Sequence, residues 1–200
     1  MKIIGFVGLP GSGKSEASQV ARQRGLAVLV MGDIIRHEAA RQGLEPTDQN
    51  LGRVGTALRA AEGPDAVAKR TLEKAMALGE DIVVIDGLRS KDEADFFRAS
   101  VEEFHLIEIS APVEARLKWL ESRGRPDDPD QKAADALELR ECRELSWGMC
   151  EAMKAADLKL KNEGRLDDFR KNVERLLEVL GTTTTSEKMI NCAFQEPLFH

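Results

Sequence analysis

Residues 8–17, GLPGSGKSEA, have the types and spacing needed to bind a chain of phosphate groups. Gly8, Gly13, Lys14 and Ser15 satisfy the pattern G-x-x-x-x-G-K-[ST], which places backbone amides and a lysine around phosphates. The glycines let the backbone turn its N–H groups inward, and the following helix directs its positive end to the same place. Ser15 adds an oxygen ligand for Mg²⁺. The predicted phosphate site comprises Gly8, Leu9, Pro10, Gly11, Ser12, Gly13, Lys14, Ser15 and Glu16.

Acidic and basic side chains also follow two later apolar runs. The segment MGDIIRHEA places Asp33 and Arg36 one helical turn apart, and the segment VVIDGLRS contains Asp86 and Arg89. Ligands of parallel α/β sheets bind at the carboxyl ends of the strands. We therefore expect these four side chains to converge with Lys14 on one crevice.

The elements that must position these residues can be read from hydrophobic periodicity. Segments with helical spacing separate five short apolar runs, and a clear helix from Leu166 to Leu180 follows the last run. This alternation predicts an α/β fold with a five-stranded parallel sheet and helices on both faces. The predicted strands are residues 3–7, 26–30, 82–85, 106–109 and 158–160.

Two segments interrupt the alternation within a predicted domain of residues 1–180. Residues 34–78 have helical signals and no strand, which indicates an inserted helical subdomain. The polar segment ESRGRPDDPDQ, at about residues 120–132, is expected to be a short mobile lid. Residues 181–200 lack periodicity and are interpreted as a poorly ordered tail.

Composition narrows the classes of function. The 200-residue chain is 42% hydrophobic and has a net charge of −6, whereas nucleic-acid-binding proteins usually have an excess of Lys and Arg. Cys142, Cys150 and Cys192 form no CxxC pair and are interpreted as reduced thiols. No apolar run approaches the roughly 20 residues of a membrane span. We expect a cytoplasmic protein with small-molecule partners and neither a nucleic acid nor a membrane partner.

The motifs GDIIR and DGLRS, together with the N-terminal loop, resemble the nucleoside monophosphate kinase superfamily, adenylate kinase above all. The similarity covers about residues 1–180 and is greatest to an archaeal group of adenylate-kinase-like proteins. It implies a P-loop kinase fold, with residues 34–78 binding the acceptor. Dephospho-coenzyme A kinase is similar too, because it shares the fold, a short lid and an acidic residue matching Asp33.

The resemblance implies a role for each matching residue. Arg36 and Arg89 would bind the phosphate of the acceptor, Arg123 and Arg125 would be lid arginines, and Asn162 and Gly164 would lie near adenine. Arg140 and Arg143 are looser matches on the helix after the lid. Taken together with the motifs, the candidate acceptor-binding residues are Asp33, Arg36, Arg59, Asp86, Gly87 and Arg89, and the candidate catalytic residues are Lys14, Asp33, Arg123 and Arg125.

These patterns lead to a hypothesis of ATP-dependent transfer of a γ-phosphoryl group to a nucleoside monophosphate or a similar small nucleotide. Ser15 would hold Mg²⁺ directly and Asp86 through water. Two alternatives remain: transfer to a ribose hydroxyl, as in dephospho-coenzyme A kinase, and an ATPase or nucleotide-gated regulatory module. Arg59 could instead lie on a solvated helix face, and Trp119 and Trp147 are interpreted as core or lid packing.

Overall fold

The structure is a computed structural model that describes residues 1–123 and 133–181 of the 200-residue chain. Residues 124–132, which include Arg125 and most of the predicted lid, lie outside the described residues. The predicted tail from residue 182 onward, with Cys192, lies outside them as well. Among the described residues, no helix is both long enough and apolar enough to cross a membrane.

The five predicted strands are confirmed, and all of them run parallel in one sheet of order β2-β3-β1-β4-β5. The strand β1 is central, and each of its six residues is buried. This explains its continuous apolar sequence, because a parallel strand in the middle of a sheet is covered on both faces. The strands are β1 (Lys2–Val7), β2 (Ala27–Val30), β3 (Ile82–Leu88), β4 (Glu103–Ser110) and β5 (Leu158–Lys161).

Nine helices are described around the sheet. The cap residues follow local chemistry: the Thr47 side chain accepts a hydrogen bond from the Asn50 amide at the start of α3, and Ser90 caps α5 in the same way. The helices are α1 (Lys14–Gln23), α2 (Met31–Arg41), α3 (Asp48–Glu62), α4 (Ala66–Leu78), α5 (Lys91–Ser100), α6 (Val113–Arg123), α7 (Ala133–Ser146), α8 (Met149–Lys154) and α9 (Leu166–Gly181).

The core consists of two apolar layers, one on each face of the sheet. Alternate residues of β1 enter opposite layers: Ile3 packs in one cluster with residues of α4, α5 and α8, and Ile4 packs in the other with residues of α1 and α9. The predicted arrangement of helices on both faces is therefore confirmed. It leaves the carboxyl ends of the strands, and the loops that follow them, as the place where a ligand can bind.

Candidate active site

Residues 8–15, here called the phosphate loop, connect β1 to α1. Gly13 immediately precedes α1 with φ of +109°, a left-handed conformation that favours glycine. A Cβ at this position would lie 2.4 Å from Nδ2 of Asn162. The same Asn162 amide donates a hydrogen bond of 3.1 Å to the carbonyl of Ser12. Asn162 is buried, so it supports the loop from the end of β5.

Lys14 is the first residue of α1, and its Nζ donates to the carbonyls of Gly8 at 2.6 Å and Leu9 at 3.0 Å. Burial lowers the pKa of Lys14 to about 8, although the charges of Glu144 and Asp86 act in the opposite direction. A bound phosphate would give this ammonium group a charged acceptor, and charge-assisted hydrogen bonds are stronger than those to carbonyls. The lysine is therefore poised for an anion.

Asp86 is buried in β3, and its Oδ2 accepts a hydrogen bond of 3.0 Å from the hydroxyl of Ser18 on α1. The strand β3 continues three residues beyond its predicted end, to Leu88. Its pairing with β1 shifts in register after Asp86, and Gly87 is the extra residue, with φ of +97°. Such a bulge re-aims the chain beside a site. Here it lies in the chain between Asp86 and Arg89, which both line the larger cavity.

The helix α2 begins directly after β2, so Asp33 and Arg36 lie within its first two turns. Nη1 of Arg36 donates to Oδ1 of Asp33 at 2.7 Å. The Asp33 side chain is 55% exposed and the Arg36 side chain 34% exposed, and both line the same cavity as Lys14. These two residues therefore form an accessible ion pair on the cavity that the phosphate loop also lines.

Arg89 and Arg140 share one carboxylate. Nη1 of Arg89 donates to Oε1 of Glu144 at 2.5 Å, and Nε of Arg140 donates to the same oxygen at 3.1 Å. Burial lowers the pKa of Arg89, while the charge of Glu144 raises it; a guanidinium nevertheless stays protonated in proteins. The helix α7 thus supplies both a basic and an acidic group to the end of β3.

The solvated alternative for Arg59 is wrong. Its side chain is only 10% exposed, donates to Oε1 of Glu93 at 2.6 Å, and lies over the ring of Trp147 with its Cζ 4.5 Å from the ring centroid. The guanidinium carbons of Arg89 and Arg143 lie 5.7 and 5.9 Å from the same centroid. Trp147 therefore joins three arginines by cation–π contacts, which its interpretation as core or lid packing did not anticipate.

Arg143 connects α7 to α3. Its two terminal nitrogens donate to the two carboxylate oxygens of Asp48 at 2.9 and 2.7 Å. This two-pronged geometry is the one that a guanidinium and a carboxylate favour. Gly52 makes room for it, because a Cβ there would lie 2.8 Å from Nη1 of Arg143.

A cavity of about 690 Å³ opens at the carboxyl ends of the strands. Beside it lies a cavity of about 50 Å³, which is walled by α2, α3 and α7 and shares Arg36, Arg89 and Arg140 with the larger one. The predicted residues on the larger cavity are Pro10, Gly11, Gly13, Lys14, Ser15, Glu16, Asp33, Arg36, Asp86, Gly87, Arg89, Arg140, Asn162 and Gly164.

The remaining predicted residues lie elsewhere. Arg59 and Arg143 line the smaller cavity, while Gly8, Leu9 and Ser12 form the rest of the phosphate loop. Arg123 ends α6, but its side chain, like the whole of Arg125, is outside the described residues.

Four acidic or aromatic residues of the site were not anticipated: Asp48, Glu93, Glu144 and Trp147. Each of them also pairs with an arginine from a distant segment, which depends on packing rather than on a local pattern. One local signal was available, because Arg140 and Glu144 are four residues apart and so share a helix face.

Sequence comparisons show which family the chain belongs to. Residues 7–134 match a family described as AAA domain. A UPF0200 protein from Methanothrix thermoacetophila is 51% identical over 181 residues, which are 90% of this chain and 98% of that protein. A UPF0200 protein from Methanosarcina barkeri is 46% identical over 188 residues, which are 94% of this chain and 100% of that protein.

Two solved structures share the fold. TT1252 from Thermus thermophilus has a TM-score of 0.62 at 21% identity, and the match covers 90% of this chain and 97% of the TT1252 chain. A shikimate kinase from Bacteroides thetaiotaomicron has a TM-score of 0.62 at 16% identity, and the match covers 90% of this chain and 99% of the shikimate kinase chain. The predicted P-loop kinase fold and the predicted archaeal relationship are both confirmed: the chain belongs to the UPF0200 family, whose archaeal members are its relatives here.

Proposed function

We propose that this protein is an ATP-dependent phosphotransferase that moves the γ-phosphoryl group of ATP to a nucleoside monophosphate or a similar small nucleotide. One observation carries the proposal. A single cavity is lined both by the phosphate loop with Lys14 and by the arginines Arg36 and Arg89. The loop is suited to the phosphates of a donor, and the arginines are suited to a second phosphorylated molecule.

On the donor side, the loop amides and Lys14 hold the β and γ phosphates in this proposal. Asn162 and Gly164 lie on the same cavity at the end of β5, where they would contact the base. Phosphoryl transfer needs little covalent chemistry from the protein, so positioning and charge neutralisation supply most of the catalysis. Lys14 serves both purposes.

The oxygen groups at the loop fit a magnesium ion. Mg²⁺ prefers oxygen ligands and keeps several waters, with one or two protein groups and the phosphates of the substrate completing its shell. Ser15 lines the cavity, and Asp86 presents a buried carboxylate with one oxygen fixed by Ser18. Ser15 would bind the ion directly and Asp86 through water. Bound there, the ion would neutralise charge on the phosphate oxygens.

On the acceptor side, Arg36 and Arg89 bind the phosphate in this proposal, and Asp33 and Gly87 line the same cavity. A guanidinium can form two parallel hydrogen bonds to a phosphate, which an ammonium group cannot. Arg123 and Arg125 are assigned, as the sequence suggests, to neutralise the transferred group and to keep water, a competing acceptor, from it.

The smaller cavity supports an acceptor side that opens on binding. About 50 Å³ holds no more than a few water molecules, yet Arg59, Arg89, Arg143 and Trp147 surround it. An acceptor that engages these residues requires α3 to move away from α7. The helical insertion would then act as a hinged acceptor-binding subdomain.

Transfer to a ribose hydroxyl, as in dephospho-coenzyme A kinase, is the second candidate, and Asp33 favours it. This carboxylate is half exposed on the cavity that also holds Lys14. A hydroxyl acceptor must lose a proton as it attacks, and a carboxylate at this place can accept it. A phosphate acceptor, which is already ionised, needs no such base. The third candidate, an ATPase or a nucleotide-gated module, uses the loop without an acceptor.

A screen of acceptors tests the proposal. The purified chain is incubated with Mg²⁺, ATP labelled in the γ-phosphate and each nucleoside monophosphate or dephospho-coenzyme A in turn, and labelled products are separated by chromatography. We expect a labelled nucleotide product with at least one monophosphate. A labelled product only with dephospho-coenzyme A would support the second candidate, and labelled inorganic phosphate alone would support the third.

A further inference from the structure

Glu144 is a buried carboxylate in the wall of a cavity that should receive phosphates. Its residue is 2% exposed, and its Oε1 accepts hydrogen bonds from both Arg89 and Arg140. It also lies close enough to Lys14 to raise the pKa of that lysine. A negative charge here opposes the binding of an anion, so its presence beside the phosphate loop requires a reason.

The reason lies in the positive charges around it. Lys14, Arg89 and Arg140 lie together on the cavity wall, and buried cations without a counter-ion strongly destabilise a fold. Burial alone raises the pKa of Glu144, but the charges of Arg89, Arg140 and Lys14 more than offset this, and the pKa stays below its usual range. Glu144 is therefore ionised near neutral pH and balances these cations.

A comparison with Glu93 shows that this counter-ion is of an unusual kind. Glu93 pairs with Arg59 and also accepts from the backbone amide of Arg89 at 2.7 Å, and it is completely buried behind both. It lines neither cavity. Glu144 instead lines the larger cavity. A ligand in this cavity thus meets the Glu144 pairing directly, whereas the Glu93 pairing is shielded from it.

We propose that Glu144 is an exchangeable counter-ion, which occupies Arg89 and Arg140 in the free protein and yields them to a phosphate group that enters the cavity. This rests on the proposed function only for the identity of that group as part of a phosphorylated acceptor. The oxygens of carboxylates and of phosphates both accept charge-assisted hydrogen bonds from a guanidinium, so one can replace the other. Glu144 is then a positioning residue that holds both arginines in place beside the cavity.

If Glu144 is exchangeable, removing its charge should raise the affinity for phosphate. If the ion pair is purely structural, the same change should lower that affinity. Glu144→Gln keeps the shape of the side chain and removes the charge that competes with a phosphate. We expect inorganic phosphate to bind about tenfold more tightly to this variant, since a like charge a few ångströms away no longer opposes it. A structural pair would give the reverse, because loosened arginines bind phosphate more weakly.

Isothermal titration with inorganic phosphate measures this directly. The phosphate loop is first filled with Mg²⁺ and a non-hydrolysable ATP analogue, so that the phosphate reports on the arginines alone. Glu138→Gln, an exposed position on the same helix, is the matched control and should bind phosphate as the wild type does. The double variant Glu144→Gln with Arg89→Ala should lose the gain. The titration measures binding without turnover. The counter-ion proposal can therefore fail while the proposed phosphotransferase function holds, and the proposed function can fail while the counter-ion proposal holds.

Thermal unfolding covers the case in which the variant is unstable. In chloride, Glu144→Gln should melt at a lower temperature than the wild type. When phosphate replaces chloride at equal ionic strength, the melting temperature should rise more for Glu144→Gln than for the wild type. Equal or weaker phosphate binding in Glu144→Gln would overturn the proposal. So would a variant that fails to fold in phosphate as well as in chloride, since phosphate should then take the place of the carboxylate.

Discussion

Arg143 on α7 binds both carboxylate oxygens of Asp48 on α3, at 2.9 and 2.7 Å, and so joins the two helices across the smaller cavity. The two side chains are about one-fifth exposed, at 23% and 22%. The pair is therefore neither a screened surface contact nor a deeply buried one. If the acceptor enters by moving α3 away from α7, this contact must break each time.

We expect the Asp48–Arg143 pair to stabilise the closed arrangement by about 1–2 kcal/mol, between the values for exposed pairs and for well-formed charged hydrogen bonds. A double-mutant cycle with Asp48→Ala and Arg143→Ala, measured by urea unfolding, gives this coupling energy. A coupling energy near zero would show that the pair does not hold the two helices together.

Lys14→Ala should abolish phosphoryl transfer and leave the fold intact, because Lys14 stands at the turn from strand to helix and bonds only to loop carbonyls among its described partners. Turnover with the best acceptor and the circular dichroism spectrum test the two halves of this expectation. A variant with near wild-type turnover would refute the role of the lysine.

The depressed pKa of Lys14 gives the binding of ATP a defined pH dependence. Its pKa is about 8 in the folded chain, against 10.5 for an ordinary lysine, so between these values the unfolded chain binds more protons. The contribution of Lys14 to the free energy of unfolding therefore rises as the pH increases from about 8 to 10.5. A phosphate prefers the charged lysine, so nucleotide affinity should fall over the lower part of the same range.

Titration of Mg²⁺–ATP binding from pH 7 to 9.5 isolates this effect when wild type is compared with Lys14→Met. The ratio of the two affinities should be constant below about pH 8 and should decrease by up to about tenfold per pH unit above it. A ratio that does not change up to pH 9.5 would mean that Lys14 remains fully charged in the free protein.

Much of this site could be predicted from the sequence because its signals are local. The phosphate loop is a contiguous motif, and Asp33, Arg36, Asp86 and Arg89 follow apolar strands whose ends must meet in a parallel sheet. The pairings between distant segments could not be predicted. Glu144 meets Arg89 across 55 residues of sequence, and Asp48 meets Arg143 across 95. Each depends on how α7 packs against α3 and β3, which no local pattern encodes. The buried position of Arg59 against Trp147 has the same origin.

Arg89→Ala should impair use of the acceptor far more than binding of ATP. The loss of a charged hydrogen bond to a phosphate costs about 1.5–3 kcal/mol, which corresponds to a tenfold to hundredfold rise in the KM for the acceptor. Arg53→Ala, at an exposed position on α3, serves as the control. It should change neither the KM for the acceptor nor the affinity for ATP. Equal losses in both affinities for Arg89→Ala would place the residue on the donor side.

Asp33→Asn distinguishes the two kinds of acceptor. A general base is worth about 10²- to 10⁴-fold in rate, so a hydroxyl acceptor should lose that much turnover with its affinity nearly unchanged. A monophosphate acceptor should lose less, through disturbed waters around Mg²⁺, and saturating Mg²⁺ should be used for both. We expect the smaller loss. A large loss together with activity on dephospho-coenzyme A and on no monophosphate would contradict this expectation.

The most direct test of the account is a single-turnover reaction between the Mg²⁺ complex of γ-labelled ATP and the best monophosphate, with the label counted separately in nucleotide and in inorganic phosphate. The account predicts that most of the label moves to the acceptor, that Lys14→Ala forms neither product, and that Arg89→Ala slows transfer at subsaturating acceptor. Label that appears only in inorganic phosphate, at a rate that no acceptor changes, would contradict it.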